Sequence, residues 1–239
     1  MMKKTELYVV RHGKTIFNLL DRVQGWSDTP LTEVGRENIR CLGKGLEDVP
    51  FVEAYSSDSG RAIETTRIIL EEQETTSSNI KHSIDSRLRE WCFGSFEGAF
   101  NDELRKVLPT VTDDESGNKI LDPTLTFEKM AELLQRADKV AITEPYEKIK
   151  RRVLSVFAEI AKRTELHGGG NVLIVSHGLT IIFLLTLIDP SVNINVDIPN
   201  GSVTHITYEN AKFEVTMIGD TSFIKKPETK PFAKRIDRI

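Results

Sequence analysis

The chain has 239 residues, 39% of them hydrophobic and 28% charged, with a formal net charge of −4 and two cysteines. That length and apolar content suit one α/β domain with a sizeable core. The acidic balance argues against a general nucleic-acid binder, which needs a basic surplus against backbone phosphates, and Cys41 and Cys92 lack the CxxC spacing of metal or redox sites.

In chain order, the apolar run Leu7 to Val10 predicts a first strand over 6–10, buried on both faces of a parallel sheet. Behind the basic start "MMKK" this run is too short for the ~7–15-residue apolar region of a signal peptide. Pro30 and Thr32 mark a helix start, with Thr32 as N-cap, and Val34, Ile39, Leu42 and Leu46 give a helical period over about 33–46. "FVEAYSS" reads as a second strand, and "DSGRAIETTRIILEEQ" as a helix turning Ala62, Thr65, Thr66, Ile69 and Leu70 to the sheet. A weaker strand falls within 80–91. Residues 99–138 read as two helices around the unperiodic loop "PTVTDDESGNKILD".

Pro145 opens a clearer helix, whose Ile149, Val153, Val156, Phe157 and Ile160 form one apolar stripe, and Gly168, Gly169 and Gly170 end it. "NVLIVSH" is another buried strand, 179–188 a buried helix, and "SVTHITYE" with "KFEVTMI" an alternating hairpin turned at Asn210. The stretch "VLIVSHGLTIIFLLTLI" is broken by Ser176, His177 and Gly178 and falls short of the ~20 residues of a membrane span, so a cytoplasmic protein is expected. The alternation of strands and helices implies an α/β three-layer sandwich, a mostly parallel central sheet flanked by helices. Residues 1–224 are expected to form a single domain, and 225–239 a solvated basic tail with six Lys or Arg against two acids.

In such sheets ligands sit outside the carboxyl ends of the strands. Two different strands here end in His-Gly, "VVRHG" and "IVSHG", each running into a helix start whose backbone N–H groups attract anions. Arg61 lies just inside the helix after the second strand, and Glu90 ends the weak third one. Taken singly, each histidine is more often a satisfied or exposed residue than a catalyst, Arg61 a surface arginine and Glu90 a solvated acid. Their recurrence at strand ends of one sheet changes that weighting, because those ends converge.

"RHGKTIFN", "QGWSDTPLTEVG", "SSDSGRAIETT", "LREWCFGSFEG" and "VSHG" resemble, in order, the motifs of the histidine phosphatase superfamily, the phosphoglycerate mutase-like proteins. The resemblance implies that His12 accepts the phosphoryl group, that Arg11, Arg61 and His177 complete the phosphate pocket, and that Glu90 donates the proton. It also implies that Asn18, Gln24, Gly25 and Gly178 touch phosphate or substrate, with Thr15 in support. Those residue types suit the chemistry. A phosphomonoester dianion repels nucleophiles, so forked, permanently charged arginines must hold its oxygens. Their charge in turn disfavours imidazolium and leaves His12 a lone pair. A carboxylic acid can protonate the leaving alkoxide and then, as a base, activate water.

No step needs a metal or other cofactor, and none is expected. Lys14 departs from the family, which often has glutamate there; it either favours a second anionic group on the substrate or, more commonly for a lone lysine, faces water. "LREWCFGSFEG" resembles the phosphatase members, through FGxxEG, more than the mutases. The basic insertion with which mutases grip a second phosphate is absent: 102–138 holds Asp113, Asp114 and Glu115 instead. Hydrolysis of a small phosphomonoester is therefore expected, with a phosphoglycerate mutase-type transfer as the alternative and a non-catalytic phospho-ligand binding module less favoured. Trp91, Phe93, Phe96 and Phe100 either wall the substrate site or belong to the core. Residues 99–138 are expected to form a lid. Neither nucleic acid nor membrane is an expected partner, and the chain is read as a monomer or a homodimer, the hairpin closing the sheet edge or joining a second copy.

Overall fold

The computed structural model describes residues 4–73, 80–112, 117 and 119–224. Asp113, Asp114, Glu115 and the basic tail lie outside the described residues. The elements in order are β1 (Thr5–Arg11), α1 (Ile16–Leu19), α2 (Glu33–Gly45), β2 (Phe51–Ser56), α3 (Gly60–Glu71), β3 (His82–Ile84), α4 (Asn101–Arg105), β4 (Thr110–Thr112), β5 (Lys119–Leu121), α5 (Phe127–Ala137), α6 (Tyr146–Leu166), β6 (Gly170–Ser176), α7 (Gly178–Ile188), β7 (Val203–Glu209) and β8 (Lys212–Asp220). Six strands make one sheet in the order β3-β2-β6-β1-β7-β8. The first four run parallel, and β7 and β8 add an antiparallel edge beside β1. The fold is the expected α/β sandwich, and the terminal hairpin extends the sheet.

Alternation along the central strands divides the interior in two. Leu7 and Val9 of β1, with Val172 and Ile174 of β6, face a core shared with α5, α6 and α7. Val10, Leu173 and Val175 face the opposite core, filled by α2 and α3. Because side chains alternate with period two, a strand buried on both faces must be apolar at nearly every position, which is how both strands read. The α6 stripe of Ile149, Val153, Val156, Phe157 and Ile160 is buried throughout. At about 1.5–3 kcal/mol for each fully buried side chain, this packing rather than helix propensity holds α6.

Three local differences from the sequence reading have simple causes. Within the unperiodic loop, Thr110–Thr112 pairs with Lys119–Leu121 as a small antiparallel hairpin; three-residue strands are too short to show a period. Leu70 is half-buried, and Ile68 takes the place on the sheet face expected of it. The short helix α1 is stabilised by a capping box in which Thr15 and Asn18 bond each other's backbone N–H groups.

The hairpin between β7 and β8 turns at Asn210 and Ala211, both left-handed with φ of 52° and 61°. Asparagine tolerates this conformation, whereas an alanine Cβ there crowds the backbone. Ala211→Gly is expected to raise stability by roughly 1 kcal/mol in urea unfolding, relief of that strain outweighing the extra freedom of the unfolded chain.

Candidate active site

The parallel register of β1 and β6 sets Arg11 opposite Ser176. The next residue on each strand is therefore a histidine at the same level, and the His12 and His177 ring centroids lie 5.1 Å apart. Both rings are buried, at 3% and 1% exposure. The Nδ1 of His12 is 2.9 Å from the carbonyl of Gly13. A carbonyl only accepts, so Nδ1 carries the proton and Nε2 keeps a free lone pair. Burial, followed by the charges of Arg61 and Arg11, pushes His12 well below the ordinary histidine pKa, and the ring is neutral.

Arg61 enters from the first turn of α3 with its side chain wholly buried. Its guanidinium donates to the carbonyls of Ser27 (2.9 Å) and Gly25 (2.8 Å), to Asp28 (2.9 Å) and to Nδ1 of His177 (3.0 Å). With Nδ1 accepting, His177 carries its proton on Nε2 and donates it to Ser57 Oγ at 2.7 Å, which lies 2.9 Å from Ser59 Oγ. Burial and then Arg61 hold His177 well below its usual pKa as well. Arg11 donates to the Ile198 carbonyl at 2.7 Å. The Nε donors of Arg11 and Arg61 are buried without a partner. Two cations with buried, unmet donors, set beside a neutral imidazole, have the composition of an anion site.

Glu90 is buried at 6% exposure against the head of α7. One carboxylate oxygen accepts from the Thr180 N–H and hydroxyl and from the Trp91 N–H; the other accepts from the Leu179 N–H at 3.0 Å and keeps a lone pair. Gly178, the first residue of α7, leaves room for Arg11: a Cβ there would lie 3.3 Å from the arginine Nε. A cavity of about 300 Å³ opens onto Glu90 and His177, lined also by Gly25, Trp26, Ser59 and Arg89 among others. At its mouth Arg89 grips Asp58 through both carboxylate oxygens and lies over the Trp26 ring at 4.7 Å; that bond holds Asp58 below the usual carboxylate range.

The remaining expected residues form a supporting shell. The Thr15 hydroxyl donates to Gln24 at 2.6 Å, and Gln24 donates to Thr29. Asn18 accepts from the Thr15 N–H and from Asn200, which also bonds the His12 carbonyl. Gly25 has both backbone groups engaged, its N–H to Glu97 and its carbonyl by Arg61. A Cβ at Gly25 would fall 2.2 Å from the Trp91 carbonyl, so only glycine fits there. Lys14 is half-buried, and its carbonyl accepts from Thr32.

Sequence reasoning missed Trp26, Asp28, Ser57, Ser59, Arg89 and Asn200. Of these, Asp28, Ser57, Ser59 and Arg89 had a legible signal, as polar residues within the motif segments. Glu97, the glutamate of FGxxEG, has a carboxylate that accepts from the N–H groups of Gly25, Trp26, Ser27 and Phe93 and so ties the loop to the Glu90 segment. Among the aromatic candidates, Trp91 belongs to the core against Phe127 and Phe183, Phe93 is buried, and Phe100 is exposed with Arg22 over its ring. Trp26 is the aromatic side chain that lines the cavity beside Glu90 and His177. Among the described residues no group of three His, Cys, Asp or Glu converges as a metal-ligand set, and no helix is long and apolar enough to cross a membrane.

Residues 7–221 match the histidine phosphatase superfamily (branch 1), and the chain belongs to that enzyme superfamily. A 2,3-bisphosphoglycerate-dependent phosphoglycerate mutase 2 of Gloeobacter violaceus is 31% identical over 77% of this chain and 75% of its own length. The crystal structure of a phosphoglycerate mutase from Bacillus anthracis is 37% identical with a TM-score of 0.82, covering 93% of this chain and 96% of that one. An alpha-ribazole phosphatase from Shigella flexneri shares the fold at 22% identity and a TM-score of 0.67, covering 91% and 97%.

Two histidines held neutral make stability depend on pH. Below about pH 6.5 the unfolded chain takes up protons that the folded protein refuses at His12 and His177, so the unfolded state gains. Stability is full above that pH and falls below it, by about 1.4 kcal/mol per pH unit for each histidine. Urea unfolding between pH 7.5 and 5 should show this slope. His177→Gln should remove one histidine's share, and an unchanged slope would contradict the burial of a neutral ring.

Proposed function

We propose that this protein is a phosphomonoesterase that hydrolyses a small phosphorylated metabolite through a phosphohistidine on His12. The observation that carries the reading is the His12 tautomer: Nδ1 is committed to the Gly13 carbonyl, so the Nε2 lone pair is free in a ring that feels the charges of Arg61 and Arg11. That lone pair attacks phosphorus as the ester P–O bond breaks. Arg11 and Arg61 hold the equatorial oxygens, and His177 turns its Nε2–H from Ser57 to the same group. The leaving alkoxide takes a proton from Glu90. The Glu90 carboxylate then removes a proton from water, and the resulting hydroxide displaces His12, breaking the P–N bond and releasing inorganic phosphate.

Asn18 is positioned to add a donor, since its oxygen is fixed by Thr15 and Asn200 and its side-chain nitrogen carries no protein partner among the described residues. Thr15, Gln24, Gly25 and Gly178 shape and support the pocket. A second cavity of about 440 Å³, lined by Phe93, Leu104, Met130 and Leu179 among others, lies under α4, β5 and α5, and we assign these elements the choice of leaving group.

What supports hydrolysis over isomerisation is the mouth of the cavity. A substrate with a second anionic group needs a second set of free cations, but the wall carries Asp28 and Asp58, and its Arg89 is already paired. The likeness to the Gloeobacter and Bacillus phosphoglycerate mutases favours the second reading, a phosphoglycerate mutase-type transfer.

One assay separates these readings: a panel of phosphomonoesters, with 3-phosphoglycerate and 2,3-bisphosphoglycerate together as one member, followed for inorganic phosphate and for isomerised product. Phosphate release is expected, with a ~10⁴-fold or greater loss in His12→Ala and a ~10²–10⁴-fold loss in Glu90→Gln. Isomer formation without phosphate release would establish the mutase, and equal rates in all three proteins would exclude the mechanism.

A further inference from the structure

A buried guanidinium outside the phosphate pocket is bonded to the backbone that carries Glu90. Arg152, in the second turn of α6, is 11% exposed at its side chain and meets Glu144, whose side chain is 2% exposed. All its N–H donors are used. The Nε–H is shared between the two Glu144 oxygens at 3.1 and 3.2 Å. Nη1 donates to the carbonyls of Arg87 (2.9 Å) and Arg89 (2.7 Å), and Nη2 to the carbonyl of Glu90 (3.0 Å) and again to Glu144 (2.9 Å).

The segment it grips has few backbone partners of its own. Ser86–Leu88 is one 3₁₀ turn, and the chain beyond it belongs to no strand before the next short turn at Gly94–Phe96. Its carbonyls are met by side chains from several elements: Leu88 by Ser176, Arg89 also by Thr180, and Glu90 also by Trp26. Arg152 alone spans three of the four residues from Arg87 to Glu90. A planar fork can hold divergent carbonyls and a carboxylate at once, and a lysine ammonium cannot. Stability alone is a poor reason to bury such a pair, because apolar side chains of similar volume commonly do as well or better.

We propose that Arg152, oriented by Glu144, is a positioning residue for proton transfer: it sets the height of the Glu90 backbone so that the carboxyl oxygen with an open position carries its proton to the leaving oxygen. The inference rests on the phosphomonoesterase reading. A misplacement of about 1 Å at a reacting group costs on the order of 10²-fold in rate.

The test compares glycerol 2-phosphate, whose alkoxide must be protonated, with 2,4-dinitrophenyl phosphate, whose leaving group needs no proton. Comparison by kcat/KM reads the first phosphoryl transfer. Arg152→Lys and Glu144→Gln should each lose ~10–100-fold on the alkyl ester and less than ~3-fold on the dinitrophenyl ester, with inhibition by inorganic phosphate unchanged. Arg152→Met/Glu144→Leu removes both charges together and guards against misfolding of the single variants. It should keep the thermal stability of the parent and still show the selective loss. Equal losses on both esters, or a double variant that recovers activity along with stability, would overturn the role of Arg152. Failure of the parent protein to hydrolyse either ester would instead overturn the phosphomonoesterase reading.

Discussion

The pairing of β1 with β6 is the constraint on which the rest of the molecule depends. Their side-by-side parallel register ends both strands at one level, and only then do the next residues, His12 and His177, become neighbours. Neither strand has an independent reason to stop there. Each is apolar along its middle because both faces are covered, and each gives way to polar side chains that are themselves buried, Ser176 and His177 after β6 and His12 after β1. The site thus occupies the edge of the sheet where hydrophobic burial ends and backbone N–H groups begin.

Burying so many ionisable groups in one place requires that each be held by others. Arg61 has no exposed side-chain surface and is neutralised in part by Asp28 and in part by backbone carbonyls, which bring dipoles without adding a counter-charge that would compete with an anion. The two imidazoles stay uncharged under the same field. Carbonyls, amides and hydroxyls do most of the holding: Glu97 gathers the N–H groups of the Gly25–Ser27 loop, α7 offers its first N–H groups to Glu90, and Arg152 satisfies the carbonyls behind it. Groups held in this way need little rearrangement when a charged ligand arrives.

The long elements were legible because their patterning is strong. Continuous apolar runs marked β1 and β6, and the stripe from Ile149 to Ile160 marked α6. His12, Arg61 and His177 were legible because they follow strands or open helices, where the fold class itself draws chain ends together, whereas Glu90, expected at the end of a strand, lies beyond β3 in a segment without strand or helix and was legible through its motif alone. Less was visible where geometry depends on contacts between distant segments. Nothing periodic identifies Trp26 as the cavity wall or removes Trp91 to the core, and the Arg152–Glu144 pair reads locally as two ordinary charges at the start of an amphipathic helix. The short hairpin of β4 and β5 escaped for a related reason, since three residues cannot display a repeat.

The position of β6 between β1 and β2 has a consequence for how the protein comes into being. The strand that leads to the first histidine is made before the elements from α1 to α6, and the place beside it stays empty until β6 follows them. Loop-closure entropy makes such distant pairings slow relative to local helices. A nascent chain therefore carries its reactive imidazole for a long interval before the neighbours that tune it exist, and competence appears only when the central strand slots into the sheet.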